Sequence, residues 1–118
     1  MAWATLPLVF GKRFLNHNRT ILDKIVAAMA VRNDKKALIA HFNAIAEYPA
    51  TESFLKAIKC PTLVISGSDD PIVSPQDARQ LAKDCRGRYE IFPETGHSIP
   101  AEAPALFQQV VLDFLNWR

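Results

Sequence analysis

Apolar residues recur at helical spacing through the first half of the chain, and shorter apolar runs separated by turn signals fill the second. Ile21, Leu22, Ile25, Val26 and Met29 fall on one helical face. Leu38, Ile39, Phe42, Ile45 and Tyr48 repeat that spacing after a start signal at Asn33 or Asp34, and Pro49 ends the helix. A shorter helix is expected from Thr51 to Ile58, with Phe54, Leu55 and Ile58 on one side. Near Lys59 the pattern changes. Thr62 to Ser66 is a short, β-branched run suited to a strand covered on both faces. Ser74-Pro75-Gln76-Asp77 reads as a helix start: Ser74 caps, Pro75 suits the first turn, and Asp77 completes a capping-box variant. Ala78, Leu81, Ala82 and Cys85 then share an apolar face. Arg88 to Phe92 reads as a second strand. Pro104 opens a last helix, striped by Leu106, Phe107, Val110, Val111, Phe114 and Leu115. Strand, helix, strand, helix predicts parallel pairing through a right-handed crossover. The expectation is an α/β chain of two parts, a helical region 1–59 and a β/α unit 60–118, meeting at Lys59 to Pro61.

A chain of 118 residues fits one domain with a modest core, and 49% hydrophobic residues favour folding over disorder. The net charge of +2 argues for no nucleic-acid partner, because Lys35-Lys36 and the Arg86, Arg88 pair are isolated rather than a basic stripe. Cys60 and Cys85 form no CxxC and no metal-ligand spacing, so both are expected to be free, mostly buried thiols in a reducing cytoplasm, with no metal. The apolar start, Met1 to Phe10, lacks a basic leader and is interrupted by Pro7 and followed by Lys12-Arg13. It predicts neither a signal peptide nor a membrane span.

The chemistry lies past the two strands. Pro61-Thr-Leu-Val-Ile-Ser-Gly-Ser-Asp-Asp70 opens onto an acid, and Tyr89-Glu-Ile-Phe-Pro-Glu-Thr-Gly-His97 opens onto a histidine. A histidine near neutrality can take a proton from a hydroxyl and return it to a leaving group. A carboxylate on its other ring nitrogen fixes the tautomer and stabilises the imidazolium that forms. Asp70 and His97 are the candidates for those two roles, with Asp69 as the competing acid. The plain alternatives are a loop acid capping a turn and a histidine bonded to a backbone carbonyl. A nucleophile on a Gly-x-Ser-x-Gly turn is missing: Gly11, Gly67, Gly87 and Gly96 are the only glycines, and no two are four apart. Ser66 falls within a strand, Ser68 precedes the acid and Ser98 adjoins the histidine, but none has a strained strand-to-helix turn. His17 and His41 are expected at the surface. Trp3, Phe10 and Phe14 either line an acyl pocket or pack in the core.

These residues resemble the C-terminal end of an α/β-hydrolase. The resemblance is carried by the apolar strand after Pro61, Gly67-Ser-Asp-Asp70, Gly96-His97, Glu102-Ala-Pro104 and a final helix ending Asp-Phe-Leu-Asn-Trp117. The 27-residue separation of Asp70 and His97 agrees with it. It implies a partial α/β-hydrolase fold, two parallel strands with flanking helices preceded by a helical cap. It also implies a triad in the order nucleophile, acid, histidine, with the nucleophile ahead of Met1. The implied activity is hydrolysis of an ester, lactone, thioester or similar acyl bond, without cofactor or metal. The implied partners are a small-molecule acyl substrate and either an N-terminal hydrolase segment or a second copy pairing through the open strand edge. By this reading the isolated chain is inactive. The reading from another class is a non-catalytic interaction module or degenerate remnant that pairs through that edge.

Overall fold

In the computed structural model, which describes residues 2–32, 34–48 and 52–116, the helical half begins with three short-linked helices. These are α1 (Ala2–Val9), α2 (Lys12–His17) and α3 (Arg19–Arg32). Gly11 separates α1 from α2 in extended backbone, and Asn18 separates α2 from α3. Leu6, Phe10 and Leu22 are buried together, with Val9, Phe14, Leu15, Ile25, Val26 and Met29 packed around them. The rings of Phe10 and Phe14 stack at 4.6 Å between centroids, so both aromatics take the core role, while Trp3 is exposed.

Helix α4 (Lys35–Glu47) starts where expected, with the Asp34 carboxylate accepting from the Ala37 N–H at 3.1 Å. Among the described residues its apolar stripe is not covered: Leu38, Ile39, Phe42, Ile45 and the following Tyr48 are all exposed, Phe42 by 66%. Helix α5 (Glu52–Leu55) is shorter than the expected Thr51 to Ile58, because i to i−3 bonds from Ala57 and Ile58 close the chain into a tight turn. Asn33, Pro49 and Thr51, named above as helix boundaries, lie outside the described residues, as does Trp117.

Strands β1 (Leu63–Gly67) and β2 (Arg88–Phe92) pair in parallel, Leu63 opposite Arg88 and Gly67 opposite Phe92. Helix α6 (Pro75–Asp84) crosses between them. Its Ser74 hydroxyl accepts from the Asp77 N–H at 3.0 Å, as the cap sequence predicts. Small buried Ala78, Ala82 and Cys85 let α6 lie close on both strands, and Phe92 is 1% exposed. The helix ends with Arg86 in the left-handed region (φ 56°) and the Gly87 N–H bonded back to the Ala82 carbonyl at 2.7 Å. Cys60, expected to be mostly buried, is exposed, because it lies in the connector ahead of the strand rather than under it. Two elements close the chain, α7 (Ile99–Glu102) and α8 (Pro104–Asn116), whose Phe107, Val110, Val111 and Phe114 are half-buried. Among the described residues the sheet has only these two strands, so each keeps one unpaired edge. No helix in them is long and apolar enough to cross a membrane.

Candidate active site

Parallel pairing puts the carboxyl ends of β1 and β2 side by side, and the loops that leave them are joined by their backbones. Ser68 N–H donates to the Phe92 carbonyl at 2.9 Å and Asp69 N–H to the Thr95 carbonyl at 2.9 Å. The Ser68 hydroxyl accepts from the Glu94 N–H at 2.8 Å. Gly67 makes this approach feasible, since a Cβ there would collide with the carbonyl oxygens of Thr95 and Gly96.

The joined loops bring Asp70 and His97 together. His97 Nδ1 lies 2.9 Å from Asp70 Oδ2. The other carboxylate oxygen, Oδ1, accepts from the N–H groups of Ile72 and Val73 at 2.8 and 3.1 Å, an Asx-type turn that holds the side chain in place. Burial pushes the Asp70 carboxyl up. The His97 hydrogen bond, the Ile72 and Val73 N–H groups and the neighbouring imidazole charge outweigh it together, and hold the group below its ordinary value. The ionised carboxylate has only acceptors, so whenever the ring is neutral it selects the Nδ1–H tautomer and leaves Nε2 as the basic nitrogen. The Asp70 side chain is 5% exposed and that of His97 44%, so the acid is enclosed while the imidazole is open to an incoming group.

The other candidates fall elsewhere. Asp69 accepts from its neighbour's hydroxyl, Ser68 Oγ, at 2.9 Å and does not reach His97. Ser66 is buried with its hydroxyl 2.7 Å from the Tyr89 hydroxyl. Ser98 begins α7 without a side-chain capping bond. No described serine is hydrogen-bonded to the imidazole. His17 uses Nδ1 on the Arg13 carbonyl at 2.8 Å, and His41 sits edge-on to the ring of Phe42. Among the described residues no group of three His, Cys, Asp or Glu could hold a metal ion. Two cavities flank the N-terminal helices, one of about 390 Å³ lined by Trp3, Leu6 and Leu22, the other of about 490 Å³ lined by Phe14, Glu94 and Glu102. Neither is lined by Asp70 or His97.

Glu102 is the residue of this site that sequence reasoning left without a role. Its carboxylate accepts from the N–H groups of both Gly11 and Gly96, at 2.9 Å and at 3.0 to 3.1 Å. Only its place five residues after His97 marked it, as part of Glu102-Ala-Pro104.

Comparison with known proteins bears on the whole arrangement. A family model described as the alpha/beta hydrolase fold matches residues 9–104. RutD of Caulobacter sp. (strain K31) is 35% identical over 74 residues, 62% of this chain and 27% of that protein. The mouse (Mus musculus) Serine hydrolase BPHL is 31% identical over 79 residues, 66% of this chain and 27% of that protein. The malate-bound thermophilic esterase of Thermogutta terrifontis superposes with a TM-score of 0.86 at 25% identity, over 97% of this chain and 42% of the esterase. The chain thus spans 27% of the length of each of those two curated relatives and 42% of the solved structure.

Proposed function

The chain belongs to the α/β-hydrolase family, and from that premise we propose that Asp70 and His97 are the acid and base of a hydrolase whose nucleophile comes from polypeptide outside this sequence. The observation that supports this most is the 2.9 Å contact between His97 Nδ1 and Asp70 Oδ2, past the carboxyl ends of adjacent parallel strands. In this reading Nε2 removes the proton from the nucleophile's hydroxyl as it attacks the acyl carbon. The imidazolium is stabilised by Asp70 and then gives that proton to the leaving group. The substrate is a small ester, lactone, thioester or similar acyl compound. Region 1–59 acts as the cap over the site, and 60–118 supplies acid and base.

Two assays test this. The isolated chain should give no burst with an activated ester and no labelling by a serine-directed phosphonate, because a base without nucleophile and oxyanion hole loses most of the rate. Stoichiometric labelling of a serine in this chain would overturn the external nucleophile. Fused to the N-terminal part of the Thermogutta esterase that it does not cover, the chain should gain esterase turnover. His97→Ala should lower that turnover by about a thousandfold or more. A folded, active chimera indifferent to His97→Ala would overturn the role of His97.

A second reading, an interaction module without catalysis, draws on the uncovered apolar face of α4 and the unpaired edges of β1 and β2. A nucleophile-bearing chimera that folds yet stays inactive, beside a stable homodimer of the isolated chain, would favour it.

A further inference from the structure

We propose that Glu102 is a positioning residue for His97, a clamp that makes the imidazole's orientation depend on the junction between α1 and α2. The proposal rests on the acid–base reading of His97 and adds to it a residue that controls the base. His97 is held on both sides by that junction. On one side, Gly96 N–H donates to the Glu102 carboxylate at 3.0 to 3.1 Å, and the same carboxylate accepts from Gly11 N–H at 2.9 Å. On the other, Ser98 N–H donates to the Val9 carbonyl at 2.9 Å. Short helix α7 turns the chain back so that Glu102 reaches the residue preceding His97, with Glu102 N–H itself bonded to the Ser98 carbonyl at 3.0 Å.

The contact leaves no slack. Gly11 and Gly96 are both buried, and a Cβ on Gly96 would collide with Gly11 N and the Phe10 carbonyl carbon. The N–H groups of two buried glycines therefore share one carboxylate as their acceptor. Removing the carboxylate leaves both donors unpaired and frees the glycine next to His97, the residue type with the most backbone freedom to regain. The Asp70 contact then has to hold the imidazole by itself, in competition with solvent on its exposed face. Region 1–32 would in this way set whether the base points at the reacting groups.

The test uses the full chain with ¹⁵N-labelled histidine and long-range ring correlation spectra near neutral pH. Wild-type His97 is expected as the Nδ1–H tautomer. In Glu102→Ala, the population of the other tautomer is expected to rise about threefold or more, while the β1–β2 amides stay protected from exchange. Glu102→Gln keeps the length and one acceptor and should give a smaller change of the same sign. It decides the matter if Glu102→Ala does not fold. Glu94→Gln, an exposed acid in the same loop, should leave the ring signals unmoved. If both Glu102 variants that fold keep wild-type ring shifts while the Gly11 and Gly96 amide signals move, the clamp is structural only and the proposal is overturned. If wild-type His97 itself lacks the Nδ1–H tautomer, the acid–base reading fails, and the proposal with it.

Discussion

Around His97, three stretches far apart in sequence meet through short bonds between main-chain groups and a few carboxylates: Val9 to Gly11, Gly67 to Asp70, and Thr95 to Glu102. Helix α4 has its own cap and its own hydrogen-bond ladder, yet the whole apolar stripe from Leu38 to Tyr48 faces water. The first region is specified by where backbones can approach each other, the second by a repeating side-chain pattern. Local propensity and a cap mark where a helix runs; they do not supply the surface whose packing stabilises it. A contiguous exposed apolar stripe is the kind of surface that an interaction covers. In the reading proposed above, the cover would be the remainder of a hydrolase or a second copy of the chain.

The comparison breaks most visibly at Gly67. Gly67→Ala should destabilise the chain by about 3 kcal/mol, because rigid carbonyls of Thr95 and Gly96 occupy the space of the new methyl group. Chemical denaturation measures the loss, and disappearance of the Asp69 amide's protection from exchange would locate it in the joined loops. Ser68→Ala is the next step down. It leaves the Glu94 N–H without its acceptor and should cost about 1 kcal/mol.

Asp70 sharpens the same side of the comparison through pH. Its carboxyl ionises more readily in the fold than in the unfolded chain, so its stabilisation is complete above the ordinary carboxylate range, about pH 4. That contribution is lost as pH falls through the still lower folded value. Asp70→Asn should therefore be less stable than wild type at neutral pH, and the two stability curves should converge on acidification. Parallel curves would show that the carboxylate is not held by its neighbours.

On α4 the smallest effect is expected. Phe42→Ser and Ile45→Ser should shift unfolding by less than about 0.5 kcal/mol. Light scattering at micromolar concentration should nevertheless show reduced self-association. A loss of 2 kcal/mol or more would mean that the stripe is covered within the chain itself.

The sequence made the local chemistry legible and left the long-range approach hidden. Strand Arg88–Phe92, the Ser74 cap and the Asp34 start follow from residues within a few positions of each other. The Asp70–His97 contact was foreseeable because two strand ends in a parallel pair must fall on the same edge. Helix α1 was legible only as part of a helical region and not as an element of its own: the run from Met1 to Phe10 is almost wholly apolar and carries Pro7, so it has no periodicity to read. The exposure of Cys60 and the early end of α5 depend on how a connector lies, not on composition. Glu102 bonds to glycine amides, and a backbone N–H leaves no mark in a sequence.

The bond between Gly11 and Glu102 also has a kinetic side. It joins residues 91 apart, whereas β1 and β2 pair across a loop of about 25. Closing the larger loop from an open chain costs about 1 kcal/mol more in entropy than closing the smaller one, and its reward is only a few hydrogen bonds. The strand–helix–strand unit and the α1–α3 cluster should therefore form first and dock afterwards, so that the histidine is set in place only in the last step of folding.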